Sequence, residues 1–428
     1  MILQNLKVPA QQVSFLQAVR LGLGEQQGLF FPIQWPQLDF DRLLALPFVE
    51  RSAEILQALI GDEIKAVELQ NLVRDAFVFP APLVTVTENS ACLELFHGPT
   101  LAFKDFGARI MARVLHVAQK QQQISRTTIV TATSGDTGAA VAQAFFEQPN
   151  VDVMILFPEG KISPLQEKLF TTLGGNIHTL AVKGDFDACQ ALVKQVFDDR
   201  ELVDQLNINS ANSINISRIF AQVCYYIEAF AQLTKQQQQN AVFAIPSGNF
   251  GNLTAGLIAK VLGLPIKRFI AATNSNDTVP RFLQEQIWNP HPTQATLSNA
   301  MDVSNPNNWP RIQHLLDGDL IARDALIAVA VSEQETIQTV KDLDAIGYLS
   351  EPHAAVAFHA LQQSLQEGEY GIFLGTAHPA KFQASVEEIL GRSISIPDVL
   401  RRASQKSNLN GLIAADYVAL KAKLLDLT

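Results

Sequence analysis

A single lysine between two phenylalanines is the first candidate for chemistry in this sequence. In Gly98-Pro99-Thr100-Leu101-Ala102-Phe103-Lys104-Asp105-Phe106-Gly107 it follows a Gly-Pro turn and opens a helical pattern, with apolar residues at Phe106, Ile110, Met111, Val114 and Leu115. An amine at a helix start under aromatic cover is desolvated and lies near the positive end of the helix dipole. Both effects disfavour the ammonium and free the lone pair that Schiff-base chemistry needs. The same residues also describe a surface lysine in a first helical turn, so the rest of the chain must decide. Asp105 is assigned no part beyond that first turn.

Three loops follow strand-like runs and precede helical ones. Thr131-Ala132-Thr133-Ser134-Gly135-Asp136-Thr137-Gly138 exposes amides at a helix start, which suits an anion; it also reads as an ordinary loop capped by Ser134 or Asp136. Pro246-Ser247-Gly248-Asn249-Phe250-Gly251-Asn252 has two glycines that let backbone approach a ligand, and a phosphate is its natural guest. Gly375-Thr376-Ala377-His378-Pro379-Ala380-Lys381-Phe382 offers a hydroxyl, an imidazole and an ammonium. A fourth cluster, from Asn209 through Asn212, Ser213 and Asn215 to Arg218, sets uncharged donors before one arginine. That suits a dianionic phosphate, or an Asn/Ser-rich cap with a surface arginine. Lys161 to Lys168 is a further basic turn that reads as a Pro-initiated helix with exposed lysines.

The elements that must position these groups follow from periodicity. Residues 1 to about 80 form a mostly helical lobe, with helical patterns over Gln12 to Gly22, Phe40 to Ile60 and Ala66 to Phe77, ending at Phe79-Pro80-Ala81-Pro82. Beyond it, short β-rich runs alternate with helical ones: Leu93 to Phe96, Thr127 to Thr131, Val153 to Phe157, Ile177 to Val182, Ala241 to Ile245, Phe269 to Ala272 and Gly371 to Leu374. That alternation predicts an α/β fold with largely parallel sheet, whose ligands lie beyond the carboxyl ends of the strands.

Composition narrows the function. The chain has 428 residues, 47 % hydrophobic and 17 % charged, with net charge −10. No basic block supports a nucleic-acid partner. Cys92, Cys189 and Cys224 are three scattered cysteines without zinc-ligand spacing, so no metal site is expected. No signal-like N-terminus or long apolar run is present, and the chain reads as cytoplasmic. The G-x-G-x-x-G and P-loop fingerprints, the G-x-S-x-G elbow and the H-E-x-x-H helix are all absent. His353 and His359 fall in one helical run but off same-face spacing.

Taken in order, Phe96 to Gly107, Thr133 to Gly138, Lys161 to Leu169, Ser210 to Arg218, Ser247 to Asn252, Thr273 to Phe282 and Gly375 to Phe382 resemble the motifs of threonine synthases, pyridoxal-phosphate enzymes of fold type II. The lobe around Gly28 to Pro32 resembles that family's N-terminal domain. The resemblance implies two open-sheet α/β domains with the cofactor between them over residues 81–395, a lobe over 1–80 and a C-terminal extension over 396–428. It implies Lys104 as the Schiff-base lysine and Gly248, Asn249, Phe250, Gly251 and Asn252 as the cofactor-phosphate loop, with Ser247 at its edge. Thr376 would lie by the pyridine nitrogen, and Asp136 by the cofactor's 3′-oxygen where many relatives have asparagine. Ser134 would meet the substrate carboxylate. Thr137, Asn212, Ser213, Asn215, Arg218 and Lys381 would surround the substrate phosphate.

The implied reaction takes O-phospho-L-homoserine and water to L-threonine and phosphate. Lys104 removes the α-proton, phosphate leaves Cγ and water adds at Cβ. A phospholyase on the same scaffold, releasing 2-oxobutyrate and ammonia, is the alternative. The expected assembly is a monomer or homodimer without nucleic-acid or membrane partners.

Overall fold

Parallel sheets form where apolar runs are buried on both faces. In the smaller one, Thr127–Ala132, Val151–Pro158 and Ile177–Lys183 lie side by side, with Ile208–Asn209 flanking the first and Gly411–Ala414 the third. All four pairings are parallel. The larger sheet has six strands in the order Leu326–Ala330, Arg268–Thr273, Ala241–Pro246, Tyr370–Gly375, Ser90–Glu94 and Leu83–Thr87. Only the last pairing is antiparallel, where a short turn joins neighbours in sequence. The structure, a computed structural model, describes residues 1–427.

Every expected strand is present, most lengthened by a residue or two. One is displaced: the run expected at Leu93 to Phe96 pairs instead over Ser90–Glu94, in register with Gly371 to Gly375. The chain leaves that ladder at Leu95, whose N–H still reaches the Gly375 carbonyl at 2.9 Å.

The N-terminal lobe is less helical than its periodicity predicts. Gln12–Ser14, Ile2–Asn5 and Phe30–Pro32 form a three-stranded antiparallel sheet. The helix expected from Gln12 therefore begins at Phe15, where Ser14 and Gln17 form a reciprocal capping box. The pattern over Phe40 to Ile60 breaks into Phe40–Leu43 and Phe48–Ile60, because Pro47 cannot continue the first helix and starts the second.

This lobe is fastened to the helix Lys104–Gln121. Phe48, Phe77 and Phe79 meet Phe106 edge-on, with ring centroids 4.8 to 6.2 Å apart. Each such pair adds about 0.5–1.5 kcal/mol beyond its buried area. Arg109 and Arg113 donate to the carbonyls of Asp75 and Ala76, at the C-terminus of the helix Ala66–Ala76, where cations are favoured.

The segment after residue 395 joins the small sheet as its edge strand. Its helix Tyr417–Leu425 packs on Phe186–Asp198 and is pinned by Tyr417 Oη and Lys421 Nζ to Asp199, at 2.5 and 2.6 Å. The three cysteines are buried and unpaired. Among the described residues no helix is long and apolar enough to cross a membrane, and no cluster of ligands could hold a metal.

Candidate active site

Lys104 is presented by a loop that its own helix braces. Asp105, fully buried, turns back to accept from the Thr100 N–H at 2.9 Å and from Thr100 Oγ1 at 2.6 Å. A Cβ at Gly98 would lie 2.4 Å from Asp105 Oδ2, so only glycine fits there. The Phe103 N–H donates to the Thr376 carbonyl at 2.9 Å and Ala102 bridges Ala377, which lays the lysine loop against the hydroxyl loop of the large sheet. Asp105, given no part on sequence grounds, is therefore the brace of the Gly-Pro turn. Burial pushes its carboxyl up to about 6 against the pull of the Thr100 bonds.

Lys104 is half-buried, with its amine 5.4 Å from the centre of the Phe103 ring. Burial lowers the ammonium to about 8. Asp136 works against that change, and the cations Arg218 and Lys381 work with it. An amine so placed has a substantial free-base fraction near neutral pH.

The expected phosphate loop sits at the end of the central strand Ala241–Pro246 and opens the helix Gly251–Val261. Phe250 takes left-handed backbone (φ 60°) at the cap, and as at any helix start the first amides have no intrahelical partners. The first amide to find one is that of Thr254, bonded to the Phe250 carbonyl at 3.0 Å. A Cβ at Gly248 would stand 2.6 Å from Met301 Cα, so a second stretch of chain presses on the loop. Asn249 is held from three sides: it donates to Ser213 Oγ at 3.0 Å, accepts from the Asn307 N–H at 2.6 Å, and its carbonyl accepts from Asn308 at 3.0 Å. Tyr225 and Tyr226 both donate to Asn252 Oδ1, at 2.5 and 2.7 Å.

One cavity brings most of the expected residues together. Lys104, Ser134, Asp136, Thr137, Asn212, Ser213, Arg218, Ser247, Gly248, Asn249, Phe250, Gly251, Asn252 and Thr376 all border it. Arg218 is 1 % exposed and, among the described residues, donates only from Nη1, to the Ala211 carbonyl at 2.5 Å. Its Nε has no partner among the described residues, and burial pulls the guanidinium down to about 10. Asn212 bonds through Oδ1 to the Thr131 hydroxyl.

Two expected site residues lie elsewhere. Asn215, fully buried, caps the helix Ile216–Ala231 through the N–H and hydroxyl of Ser217, and its amide donates to the Val19 carbonyl at 2.9 Å. Its polar atoms are consumed by that cap, so it does not face an anion. Lys381 is also fully buried and does not border the cavity. Its ammonium is 2.5 Å from Asp136 Oδ1 and donates to the Thr100 carbonyl at 2.8 Å.

Three groups escaped the sequence reading. His353 borders the cavity, with Nδ1 2.5 Å from the buried Glu351 and Nε2 accepting from the Ala300 N–H at 3.2 Å, which fixes its tautomer. The signal was Glu351 before Pro352, a helix start, with His353 one residue inside. Arg311, 1 % exposed, donates to Asn308 Oδ1 and to the carbonyls of Phe30, Ser213 and Ile214, tying the N-terminal lobe to the Ser213 wall of the cavity. Gln166 donates to Asp136 at 3.0 Å from within the Lys161 to Lys168 turn.

These donors suit pyridoxal phosphate. A partly desolvated amine, a helix N-terminus for a phosphate and a hydroxyl at Thr376 border the same space, and Asn252 Nδ2 is buried there without a partner among the described residues. Comparison with known proteins agrees. A family described as threonine synthase N terminus matches residues 7–77, pyridoxal-phosphate dependent enzyme matches 75–373, and threonine synthase, C-terminal matches 354–422. The threonine synthase of Escherichia coli (strain K12) is 59 % identical over 430 aligned residues, covering the whole of both chains. A crystal structure of threonine synthase from Escherichia coli superposes with a TM-score of 0.96 at 58 % identity, again over both entire chains. A pyridoxal-phosphate-bound threonine synthase from Brucella melitensis gives 0.91 at 33 % identity, over 99 % of this chain and 98 % of that one. The chain belongs to the threonine synthase family of pyridoxal-phosphate-dependent enzymes.

Proposed function

We propose that this protein converts O-phospho-L-homoserine and water to L-threonine and phosphate, with pyridoxal phosphate held at Lys104. The observation that carries the reading is Arg218: a buried cation on the cavity wall, without a carboxylate partner among the described residues, in a site that already has a separate helix N-terminus for the cofactor's phosphate. Two anion-binding walls around one amine fit a substrate that brings a phosphate of its own.

The residues divide the work accordingly. The amides from Gly248 to Leu253 would hold the cofactor phosphate, and Thr376 its ring nitrogen. Bound there, the cofactor supplies an electron sink for a carbanion at the substrate's α-carbon. Lys104 Nζ, lowered to about 8, takes the proton from that carbon and can return it. Ser134, at the start of the helix Asp136–Phe145, would take the substrate carboxylate. Thr137, Asn212, Ser213 and Arg218 would bind the substrate phosphate and neutralise the charge it gains on leaving Cγ.

The test is a spectrum and a product assay. Purified protein with added cofactor should show a visible absorbance band that borohydride removes, with the label on Lys104. With O-phospho-L-homoserine it should release threonine and phosphate in equal amounts. No band refutes the cofactor assignment; 2-oxobutyrate and ammonia in place of threonine would identify a phospholyase.

A further inference from the structure

We propose that Asp136 and Lys381 form a buried, charge-balanced tie between the two α/β domains at the Lys104 end of the cavity, with Lys381 as the positioning residue that keeps Asp136 an anion facing Lys104. This inference rests on the functional reading above and gives Lys381 a different task from the substrate-phosphate contact expected on sequence grounds.

The geometry is that of a bridge. Asp136 opens the helix Asp136–Phe145 at the end of the small sheet's strand Thr127–Ala132, whereas Lys381 lies in the turn Pro379–Phe382 after the large sheet's strand Tyr370–Gly375. Their side chains are 4 % and 0 % exposed, and Nζ stands 2.5 Å from Oδ1. One further bond joins the same parts, and another steadies Asp136 within the small domain. Ser163 Oγ, from the small domain, donates to the Lys381 carbonyl at 2.9 Å, and Gln166 donates to Asp136 at 3.0 Å. Lys381 Nζ also donates to the Thr100 carbonyl, whose residue is braced by Asp105, so the pair is continuous with the loop that presents Lys104.

A buried carboxylate without a counter-ion takes up a proton. Here burial pushes Asp136 up, but Lys381 and Lys104 outweigh it and hold the carboxyl well below its usual range. An ionised Asp136 lies on the cavity wall, and Lys381 does not. Asp136 therefore favours a proton on the nitrogen of Lys104, both as the free amine and when it carries the cofactor, and Lys381 sets how strongly. Arg218, Asp105 and His378 also act on this group among the described residues.

The experiment is a pH titration of the visible band in cofactor-loaded protein, together with the melting temperature of the cofactor-free form. Asp136→Asn removes an anion beside the Lys104 nitrogen, and its band midpoint should fall by about one pH unit or more. Lys381→Met strips Asp136 of its counter-ion, the carboxyl takes up a proton, and the midpoint should fall, by less than in Asp136→Asn because a cation is lost with the anion. Lys381→Arg keeps the charge and should stay near wild type, which guards against misfolding of the methionine variant. In the cofactor-free form each single change should lower the melting temperature by more than the double Asp136→Asn/Lys381→Met change does. An unmoved or raised midpoint in Lys381→Met overturns the proposal. So does a tenfold rise in KM for O-phospho-L-homoserine with the band unmoved, because Lys381 would then be a substrate ligand. Absence of the band in wild-type protein refutes the functional reading instead.

Discussion

Replacing Arg218 with methionine separates what a buried cation costs from what it is for. Among the described residues the guanidinium has one hydrogen bond, to the uncharged Ala211 carbonyl, and burial takes it from 12.5 to about 10. At about 1.4 kcal/mol per pH unit, that is about 3 kcal/mol of destabilisation in the protein without a bound anion. Losing the Ala211 bond, whose donor is charged, offsets about 1.5–3 kcal/mol of the gain from removing the charge. Arg218→Met should therefore match wild type in stability or exceed it by up to about 1.5 kcal/mol in cofactor-loaded protein free of other anions. Adding phosphate should put wild type ahead: a ligand at 100 times its Kd stabilises wild type by about 2.7 kcal/mol, and the variant should respond little. In turnover, KM for O-phospho-L-homoserine should rise by about 10- to 100-fold, matching about 1.5–3 kcal/mol for a charge-assisted bond. Thermal melting with and without phosphate, beside steady-state kinetics, reads all three. A variant less stable than wild type without phosphate, or one with unchanged KM, would refute the assignment.

Arg311→Met should have the opposite sign on stability, because that guanidinium donates to four oxygens on three separate segments; its melting temperature should drop below wild type. Capture of pyridoxal phosphate by cofactor-free protein, followed by visible absorbance, should accelerate with pH and level off near 8, since below that value Lys104 holds its proton. A rate still climbing at pH 10 would mean that Lys104 is not desolvated. Gly248→Ala places a methyl 2.6 Å from Met301 Cα, so the loop must shift: the cofactor dissociation constant should rise about tenfold or more, and the melting temperature of the cofactor-free form should fall as well.

The parallel sheets were legible because strands buried on both faces read as unbroken apolar runs, as in Val151–Pro158. The lobe's sheet was not, because Gln12–Ser14 and Phe30–Pro32 are too short to establish a period of two. Loops were identified by residue type, and residue type does not say where a side chain points. Asn215 and Lys381 have the chemistry of anion ligands, yet one serves a helix cap and the other an aspartate 245 positions away in sequence. Asp105 was overlooked for the converse reason: a first-turn carboxylate is commonplace, and only the contact with Gly98 and Thr100 makes it a brace.

The contacts that complete the site also set when it can exist. Arg311 reaches Phe30, and Lys381 reaches Thr100, each across 281 residues. During synthesis at about 5–20 residues per second, an interval of that length lasts on the order of tens of seconds. Throughout it the lobe has no Arg311 to dock against, and the lysine loop lacks the ammonium that caps Thr100. The nascent chain thus carries its reactive amine early and acquires the surroundings that activate it late. Cofactor capture is then a report on chain completion, and a ribosome-stalled chain ending before Lys381 should acquire it poorly.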